Sequence, residues 1–444
     1  MGSETDACVL VTGASGYIAS HIIKQLQEDG YHVKGSVLSL SEEDKVKRLN
    51  DLCPEAQFKL ELVEADLTKP ESWEAAVKDV EYVIHVASPF PQQTPKDENE
   101  VIQPAVDGTQ AILKACVAAK SVKRVVLTSS CVAVGWGPGP IEANKVFTEE
   151  DWTDPEKLDA YGKSKTLAEK AAWEFVKELP DEDKIELAVV NPAYVMGPVL
   201  NGSQCTSLEV VKRLLERSLP FVPKLNFPIV DVRDVALAHI KAMTAQEAEG
   251  KRHLIVNTNM WMKEMGQILA AEFKQQGYSV PTMNCPNPIL FMTSLFNRTV
   301  KTILPQVGKV YKFDNSRMKD VLAITPRDPK ETLVDMAYSL IDGGFVKKSK
   351  KYKGQNASDA EEQKEEGEKT DEKKDEGEEK PKENGEVKEE KEEEVKKEEE
   401  EEKKEKESDE KIEETKDEKI EEPTEEKKEE NTEEKTEESQ PENK

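Results

Sequence analysis

The amino-acid sequence predicts an α/β fold built on a doubly wound parallel sheet, and three observations lead to this prediction. Short apolar runs alternate with amphipathic stretches over residues 8–190. A glycine-rich turn joins the first apolar run to the first amphipathic stretch. The alternation then breaks near residue 198 into loops and short helices. Repeated strand, helix and strand units form parallel sheets that helices cover on both faces.

The individual elements follow from the length and periodicity of each run. Short, mostly apolar runs predict buried strands, and apolar residues spaced three or four apart predict helices. In chain order we predict strand 8–11, helix 17–29, strand 32–37, helix 43–52, strand 59–64, helix 72–77, strand 82–86, helix 101–119, strand 124–128, helix 161–178 and strand 186–190. Two further helices are predicted beyond the break, at 231–243 and 326–344.

Charge separates the folded part of the chain from a tail. The 444 residues carry a formal net charge of −28, and residues 351–444 hold 43 acidic side chains against 22 lysines. A segment so poor in apolar side chains cannot offset its ordering entropy by burial, so we predict that it is disordered or transiently helical. We therefore predict a dinucleotide-binding domain at 5–197, a smaller substrate-binding region at 198–346 and a disordered Glu/Lys-rich tail at 347–444.

Composition restricts the compartment and the partners. The N-terminal residues lack the basic start and apolar core of a signal peptide, and no apolar run approaches the ~20 residues that span a membrane. The 6 cysteines form no CxxC pair and the 5 histidines show no ligand spacing, so neither a disulfide framework nor a metal site is expected. The negative charge disfavours nucleic acid and anionic membranes and suits a basic protein partner for the tail. We expect a cytoplasmic protein.

The turn after the first strand carries a candidate nucleotide site. It reads Thr12-Gly-Ala-Ser-Gly-Tyr-Ile-Ala19, a G-x-x-G-x-x-A pattern. Gly13 and Gly16 allow a tight turn and the close approach of a pyrophosphate, whose charge the amides of a helix N-terminus would meet. Ala19 is small enough for the helix to pack on the strand. A plain strand-to-helix turn is the alternative, but the position between strand and helix favours a nucleotide site.

A second motif carries candidate catalytic residues. Tyr161 and Lys165 lie four residues apart at the start of a predicted helix, which puts the phenol and the ammonium on one face. A nearby ammonium favours the phenolate and brings a pKa of about 10 toward a range useful for proton transfer. Ser129 and Ser130 follow the strand 124–128, at the edge where ligands bind in such sheets. A solvated helix face and ordinary turn residues are the alternatives, but the order of these elements favours one catalytic site.

Several short motifs together resemble the extended short-chain dehydrogenase/reductases. The resemblance is strongest to the dihydroflavonol reductase, cinnamoyl-CoA reductase and aldehyde reductase group of the NAD-dependent epimerase/dehydratase superfamily, and it covers roughly residues 5–346. The matching motifs are Val11–Ile18, Ala65–Leu67, His85–Pro89, Asp107–Thr109, Leu127–Ser130, Tyr161–Lys165 with Ala168-Glu169, Asn191-Pro192, Gly197-Pro198 and Val232–Ala236.

The resemblance implies a Rossmann-type fold and a catalytic set of Ser130, Tyr161 and Lys165. By the pattern of the family, Tyr161 protonates the oxygen formed on hydride transfer and Ser130 polarises the carbonyl. Lys165 lowers the pKa of Tyr161 and holds the nicotinamide ribose. Ser130 is preferred to Ser129 because it aligns with the second serine of the family. The residues implied for cofactor binding are Gly13, Ser15, Gly16, Tyr17, Ile18, Lys45, Asp66, Leu67, Val86, Ala87, Ser88, Tyr161 and Lys165.

The segment after the second strand bears on the choice of cofactor. Enzymes that use NAD tend to place an acidic residue there, on the ribose 2′-hydroxyl. This chain has Ser36-Val-Leu-Ser39 with no carboxylate, and Lys45 aligns with a lysine that meets the 2′-phosphate in similar reductases. Leu38 stands where the reductase pattern has an arginine, and Lys45 could equally be an exposed helix charge. NADP(H) is favoured over NAD(H).

The resemblance also implies a small-molecule aldehyde or ketone that is reduced to an alcohol, or the reverse reaction. Gly135 aligns with the position that contacts the flavonoid ring in dihydroflavonol reductases and has no side chain for that contact, so we expect a broader carbonyl reductase. Candidates for the pocket walls are Trp136, Tyr194, Met196 and residues of the 198–230 loop, with core packing as the alternative. A homodimer is a further expectation from the resemblance.

Three other functions are kept as alternatives. A 3β-hydroxysteroid dehydrogenase would use the same catalytic set on a hydrophobic alcohol. A sugar-nucleotide epimerase or dehydratase would share the cofactor site, but dehydratases place Asp-Glu where this chain has Cys131-Val132. A non-catalytic scaffold that senses a cofactor and binds partners through its tail would be expected to have lost a catalytic residue.

Overall fold

The computed structural model describes residues 7–89, 97–137, 141–142, 144–200, 202–203, 206–218 and 220–355, so most of the predicted tail lies outside the described residues. The strands are β1 (Cys8–Val11), β2 (His32–Val37), β3 (Glu61–Glu64), β4 (Tyr82–His85), β5 (Arg124–Thr128), β6 (Val146–Phe147), β7 (Glu186–Pro192), β8 (Tyr194–Met196), β9 (Asn226–Asp231), β10 (Arg252–Ile255), β11 (Thr258–Trp261) and β12 (Lys312–Phe313). The helices are α1 (Tyr17–Glu28), α2 (Glu43–Asn50), α3 (Ser72–Ala76), α4 (Asn99–Ala119), α5 (Ala160–Glu178), α6 (Thr206–Leu215), α7 (Val232–Thr244), α8 (Met262–Phe273), α9 (Asn287–Ser294), α10 (Arg298–Ile303), α11 (Ser316–Asp320) and α12 (Pro329–Asp342).

Seven strands form one parallel sheet in the order β3-β2-β1-β4-β5-β7-β10. The central strand β1 is paired on both sides, since Val9 lies opposite Val33 of β2 and opposite Tyr82 of β4. The direction in which the chain adds strands reverses at this point, and ligand crevices open at such a reversal. The predicted doubly wound, Rossmann-type fold is confirmed.

Helices cover both faces of this sheet, which explains why its strands are apolar throughout. Successive residues of β1 point to opposite faces: Val9 and Val11 belong to the core beneath α1 and α7, and Leu10 belongs to the core beneath α3, α4 and α5. All three side chains are fully buried. Because a parallel strand in this position meets helices on either side, an unbroken apolar run is the pattern it requires.

The part of the chain after residue 198 contributes both to a third core and to the large sheet. Helices α6, α8 and α12 enclose a third core, next to a small sheet in the order β11-β9-β8. Between them the chain returns to the large sheet, where β10 pairs with β7 at one edge. Contacts also extend past residue 346: the hydroxyl of Tyr278 donates to the carbonyl of Lys347 (3.2 Å), and Tyr352 packs against the third core.

The predicted elements of the first 190 residues are all present, with ends that differ by at most two residues. Within the described part of the chain, no helix is long and apolar enough to cross a bilayer.

Candidate active site

A crevice of about 1010 Å³ opens at the carboxyl ends of the strands in the large sheet. Ser130, Tyr161 and Lys165 line it. So do all of the residues implied for cofactor binding except Lys45, namely Gly13, Ser15, Gly16, Tyr17, Ile18, Asp66, Leu67, Val86, Ala87 and Ser88. The two sets of residues that were predicted separately therefore share one cavity.

The glycine-rich turn between β1 and α1 forms one end of this crevice. Gly13 has a φ of +66°, in the left-handed region that favours glycine, and a Cβ there would lie 3.2 Å from the Cβ of Ala87. The amide of Gly13 donates to the hydroxyl of Ser36 (3.0 Å). Helix α1 begins at Tyr17 after Gly16, without a side chain that caps its first amides. Uncapped amides at a helix N-terminus fit the diphosphate of a dinucleotide.

The loops after β3 and β4 line the same cavity. Asp66 accepts hydrogen bonds from the amide and the hydroxyl of Thr68 (2.9 and 2.8 Å), and these hold the pKa of Asp66 below its ordinary value. The hydroxyl oxygen of Thr12 accepts from the amides of Val86 and Ala87 (3.0 and 2.9 Å). The turn after β4 is thereby tied to the end of β1, and the Asp66 carboxylate stays ionised at neutral pH.

The segment after β2 places Lys45 outside the crevice. Its ammonium lies 2.5 Å from the carboxylate of Glu42, three residues earlier, and the lysine does not line the cavity. Leu38 does line the cavity and is 73% exposed. The Glu64 carboxylate accepts from the amide of Leu40 (2.7 Å). This end of the crevice is therefore bordered by an apolar side chain and lies near a carboxylate.

The three candidate catalytic residues meet where α5 begins. Asp159 caps the N-terminus of α5 through its carboxylate, which fixes the first turn that carries Tyr161. The hydroxyl of Tyr161 is hydrogen-bonded to the side chain of Ser130. One turn later, the ammonium of Lys165 donates to the carbonyl of Thr128 (3.1 Å) at the end of β5. A helix N-terminus and a strand end thus bring a phenol, a hydroxyl and an ammonium together.

The environment of Tyr161 keeps its phenol protonated. Burial, helped by the Cys131 thiol and the Asp159 carboxylate and opposed by the hydrogen bond from Ser130, raises the pKa of Tyr161 to about 12. The residue as a whole is 39% exposed and lines the crevice. The net shift of the Tyr161 pKa is therefore upward, whereas the family pattern implies that Lys165 lowers it.

The environment of Lys165 brings the pKa of its ammonium closer to neutral pH. The side chain is buried, and this burial lowers its pKa to about 8, while the carboxylate of Glu169 raises it. A lysine with this pKa is mostly charged at pH 7 and mostly neutral above pH 9.

Two adjacent serines have different surroundings. The hydroxyl of Ser129 donates to Glu169 (2.5 Å) in the buried interior. The hydroxyl oxygen of Ser130 accepts from the amide of Val132 (3.2 Å), and the same side chain is hydrogen-bonded to Tyr161. Ser130, rather than Ser129, is therefore the serine that lies next to the phenol.

Sequence reasoning missed a buried ion pair behind these residues. Glu169 is fully buried, and its carboxylate lies 2.5 Å from the guanidinium of Arg252. One signal was available, since Glu169 follows Lys165 by four residues and so shares its helical face. Arg252 lies 83 residues further along the chain, and no local pattern marks it as the partner.

Aromatic side chains form the outer walls of the crevice. Trp136 and Tyr194 line it as predicted, together with Phe227. The ring of Trp136 stacks on that of Tyr311 with 4.3 Å between centroids, and the rings of Tyr194 and Phe227 lie 5.0 Å apart. The prediction that Met196 forms part of the pocket wall is wrong, because its side chain is fully buried and belongs to the third core.

A Rossmann-type sheet that carries a Ser, Tyr and Lys cluster in the crevice at its strand reversal defines an extended short-chain dehydrogenase/reductase. The family is shown directly by sequence. The chain belongs to the NAD dependent epimerase/dehydratase family, whose sequence model matches residues 9–257. The matched region extends from β1 through β10 and therefore includes the whole large sheet.

Known relatives cover the described part of the chain. The NADPH-dependent methylglyoxal reductase of Saccharomyces cerevisiae is 33% identical over 355 residues, which are 75% of this chain and 98% of the relative. Cinnamoyl-CoA reductase 1 of Arabidopsis thaliana is 35% identical over 350 residues, 78% of this chain and 92% of the relative. Among solved structures, the yeast methylglyoxal/isovaleraldehyde reductase complexed with NADPH is similar with a TM-score of 0.63 and 32% identity, over 76% of this chain and 100% of that chain.

Proposed function

We propose that this protein is an NADPH-dependent carbonyl reductase that converts a neutral, apolar aldehyde or ketone to the alcohol, with Tyr161 as the proton donor. The observation that carries the proposal is the meeting of Ser130, Tyr161 and Lys165 in the same crevice as the uncapped N-terminus of α1. Relatives named as reductases support the reaction class, and one of them, the yeast methylglyoxal reductase, is named NADPH-dependent and has a structure complexed with NADPH, which supports the cofactor.

Each of the three side chains has a task that suits its environment. When bound in this crevice, the nicotinamide cofactor would supply the hydride that adds to the carbonyl carbon. Tyr161, protonated at neutral pH because burial raises its pKa to about 12, donates its proton to the carbonyl oxygen. Ser130 donates a hydrogen bond to the same oxygen and stabilises the charge that develops there. Lys165, mostly charged at pH 7, holds the ribose hydroxyls and stabilises the phenolate left on Tyr161.

The cofactor is assigned to the parts of the crevice that fit its charges. The amides at the start of α1 bind the diphosphate, because a diphosphate needs hydrogen-bond donors that approach closely. The segment 38–45 binds the 2′-phosphate, since its first position is Leu38 rather than a carboxylate. The hydroxyl of Ser41 lies there, 2.9 Å from that of Ser39, and Lys45 is half exposed, so its side chain can turn away from Glu42.

The charge and polarity of the walls favour an uncharged substrate. Among the described residues that line the crevice, Lys165 is the only cation, and Asp66, Glu100 and Asp159 are acidic. Trp136 and Phe227 supply large apolar surfaces. A carbonyl compound without phosphate groups therefore fits better than an acyl-CoA or a sugar nucleotide. In the same proposal, residues 5–197 hold the cofactor and the region 198–346 supplies part of the substrate wall, including Phe227.

The test is a cofactor-consumption assay on the full-length protein. NADPH and NADH are each mixed with apolar aldehydes, ketones, an acyl-CoA and a nucleotide sugar, and NADP⁺ is mixed with a steroid alcohol. The proposal predicts that apolar aldehydes or ketones oxidise NADPH faster than NADH, and that the phosphate-bearing compounds react poorly. Binding of NADPH without turnover of any carbonyl or alcohol would contradict it and favour a non-catalytic scaffold.

A further inference from the structure

Behind the candidate catalytic residues, one buried carboxylate accepts hydrogen bonds from side chains of several elements. Glu169 of α5 is fully buried. Its carboxylate accepts hydrogen bonds from the hydroxyl of Ser129 (2.5 Å) and from the amide of Asn191 on β7 (2.9 Å). It also accepts from the guanidinium of Arg252 on β10 (2.5 and 3.3 Å) and, more weakly, from the indole of Trp173 (3.4 Å). A buried charge with this many donors is held in one position.

The partner of this carboxylate is equally constrained. The guanidinium of Arg252 donates to the backbone carbonyls of Glu149 (2.9 Å) and Asp151 (2.6 Å). Its central carbon lies 3.8 Å from the centroid of the Trp152 ring. Arg252 is therefore fixed by its other contacts and by stacking, and the ion pair with Glu169 is part of the folded core rather than a surface contact.

Two connections lead from this ion pair to the catalytic residues. The amide of Asn191 that donates to Glu169 also donates to the carbonyl of Ser130 (3.2 Å). Lys165 lies one helical turn before Glu169, and both residues line a small cavity of about 10 Å³ together with Ser129. The carboxylate is thus linked to the carbonyl of Ser130 through the amide of Asn191, and it lines the same small cavity as Lys165.

We propose that Glu169, held by Arg252, is a positioning residue that keeps Lys165 charged and fixes the backbone of Ser130 through Asn191. This inference rests on the proposed function, because it assigns Glu169 a role in the reaction that Ser130 and Lys165 serve.

The groups around Lys165 do not change charge near neutral pH, so the pH dependence of activity can report the charge on Lys165. They are Tyr161 and Glu169 on its own helix and, on neighbouring elements, His85 of β4, Cys131 after β5, His239 of α7 and Arg252 of β10. Burial lowers the pKa of the two histidines to about 3 and about 4, and it raises the pKa of Cys131 and of Tyr161 to about 12. Across roughly pH 6 to 10, Lys165 is therefore the member of this set that changes charge.

The test compares pH profiles of turnover for three variants of the full-length protein. Activity falls as pH rises through the pKa of Lys165, because the ammonium is lost. Glu169→Gln removes the negative charge that favours the ammonium of Lys165. The fall in activity on the alkaline side of the pH profile, its alkaline limb, should therefore move to lower pH by about one unit or more. Arg252→Gln leaves the carboxylate and removes its cation, so the limb should move to higher pH. As a matched control, Glu186→Gln breaks the ion pair with Arg124 (2.6 Å) at the amino ends of β7 and β5 and should leave the alkaline limb in place.

Opposite shifts in two variants separate an electrostatic role from a structural one. A purely structural role would reduce turnover at every pH and leave both limbs where they are in the wild type, and that result would overturn the proposal. So would a shift in the same direction for both variants. The Arg252→Gln measurement keeps the test decisive if Glu169→Gln does not fold.

A failure of the proposed function can be distinguished from a failure of the role proposed for Glu169. A wild-type protein with no turnover refutes the carbonyl reductase activity. The charge on Lys165 can then still be read from the pH dependence of NADPH affinity, measured by fluorescence without a carbonyl compound. The same opposite shifts are expected in that measurement, and identical profiles in all variants would overturn the role of Glu169.

Discussion

Gly135 packs so closely against Phe147 that a single added carbon should disturb the wall of the crevice. A Cβ at position 135 would lie 2.3 Å from both Cγ and Cδ1 of the Phe147 ring. Carbon atoms in good contact are about 3.5 to 4.0 Å apart, so the ring must move by about 1 Å. The ring cannot move freely, because it packs against Phe313 and Tyr311 with centroids 5.7 and 6.4 Å away. Tyr311 in turn stacks on Trp136, which lines the crevice.

Gly135→Ala should therefore reduce the free energy of unfolding by about 1–3 kcal/mol, the usual effect of an added carbon in a packed core. Urea unfolding of the wild type, Gly135→Ala, Phe147→Ala and the double variant measures this effect. With the ring removed, the same alanine should have almost no effect, so the two substitutions should be strongly coupled. A Gly135→Ala protein as stable as the wild type, or an unchanged effect in the Phe147→Ala background, would refute the steric argument.

Two further predictions concern stability. Burial lowers the pKa of four histidines, so below about pH 6.5 the unfolded chain binds protons that the folded chain does not. The folded state is therefore fully stable above about pH 6.5 and loses stability as pH falls toward 4. The free energy of unfolding from urea titrations should be lower at pH 5 than at pH 7, by an amount on the order of several kcal/mol. Equal values would contradict the buried, neutral state of His21, His85, His239 and His253. Separately, Asp231 is buried and binds the guanidinium of Arg233 through two oxygens (2.9 and 2.7 Å). Asp231→Asn should lower stability by about 1–3 kcal/mol, because Arg233 keeps its contact with Asp335 (2.7 Å), and an unchanged stability would count against a buried pair.

The sequence predicts the first half of the fold well because its signals are local. Each strand of the large sheet is a short apolar run buried on both faces, and each connecting helix has its own amphipathic period. The glycine-rich turn then fixes where β1 ends and α1 begins. These features need no knowledge of distant contacts.

The second half was harder to predict because its elements depend on distant partners. Strand β8 has three residues and pairs with β9, more than thirty residues later, so no periodicity marks it. Strand β10 joins the large sheet by pairing with β7, across a long excursion of the chain. The predicted boundary at residue 198 marks the change in pattern and not a point where the chain leaves the first part for good.

For the same reason, the sequence predicted the parts of the site that depend on local spacing and missed those that depend on distant contacts. Tyr161 and Lys165 were identified by a local spacing, and the structure places both in the crevice. Lys45 lies outside it, because a carboxylate three residues away binds its ammonium. The Glu169 and Arg252 pair depends on a contact between α5 and β10 that the linear sequence does not reveal. The cytoplasmic location, the homodimer and a basic partner for the tail stay predictions.

The most direct test of the account is the Tyr161→Phe variant, assayed by nicotinamide absorbance with NADPH and the best carbonyl substrate, beside a measurement of NADPH affinity. Removal of the phenolic hydroxyl takes away the proposed proton donor and leaves the ring and the nucleotide-binding turn in place. We predict that turnover falls by about 10²-fold or more while the dissociation constant for NADPH stays within a few-fold of the wild type. A variant that retains turnover close to that of the wild type would contradict the central claim that Tyr161 protonates the product.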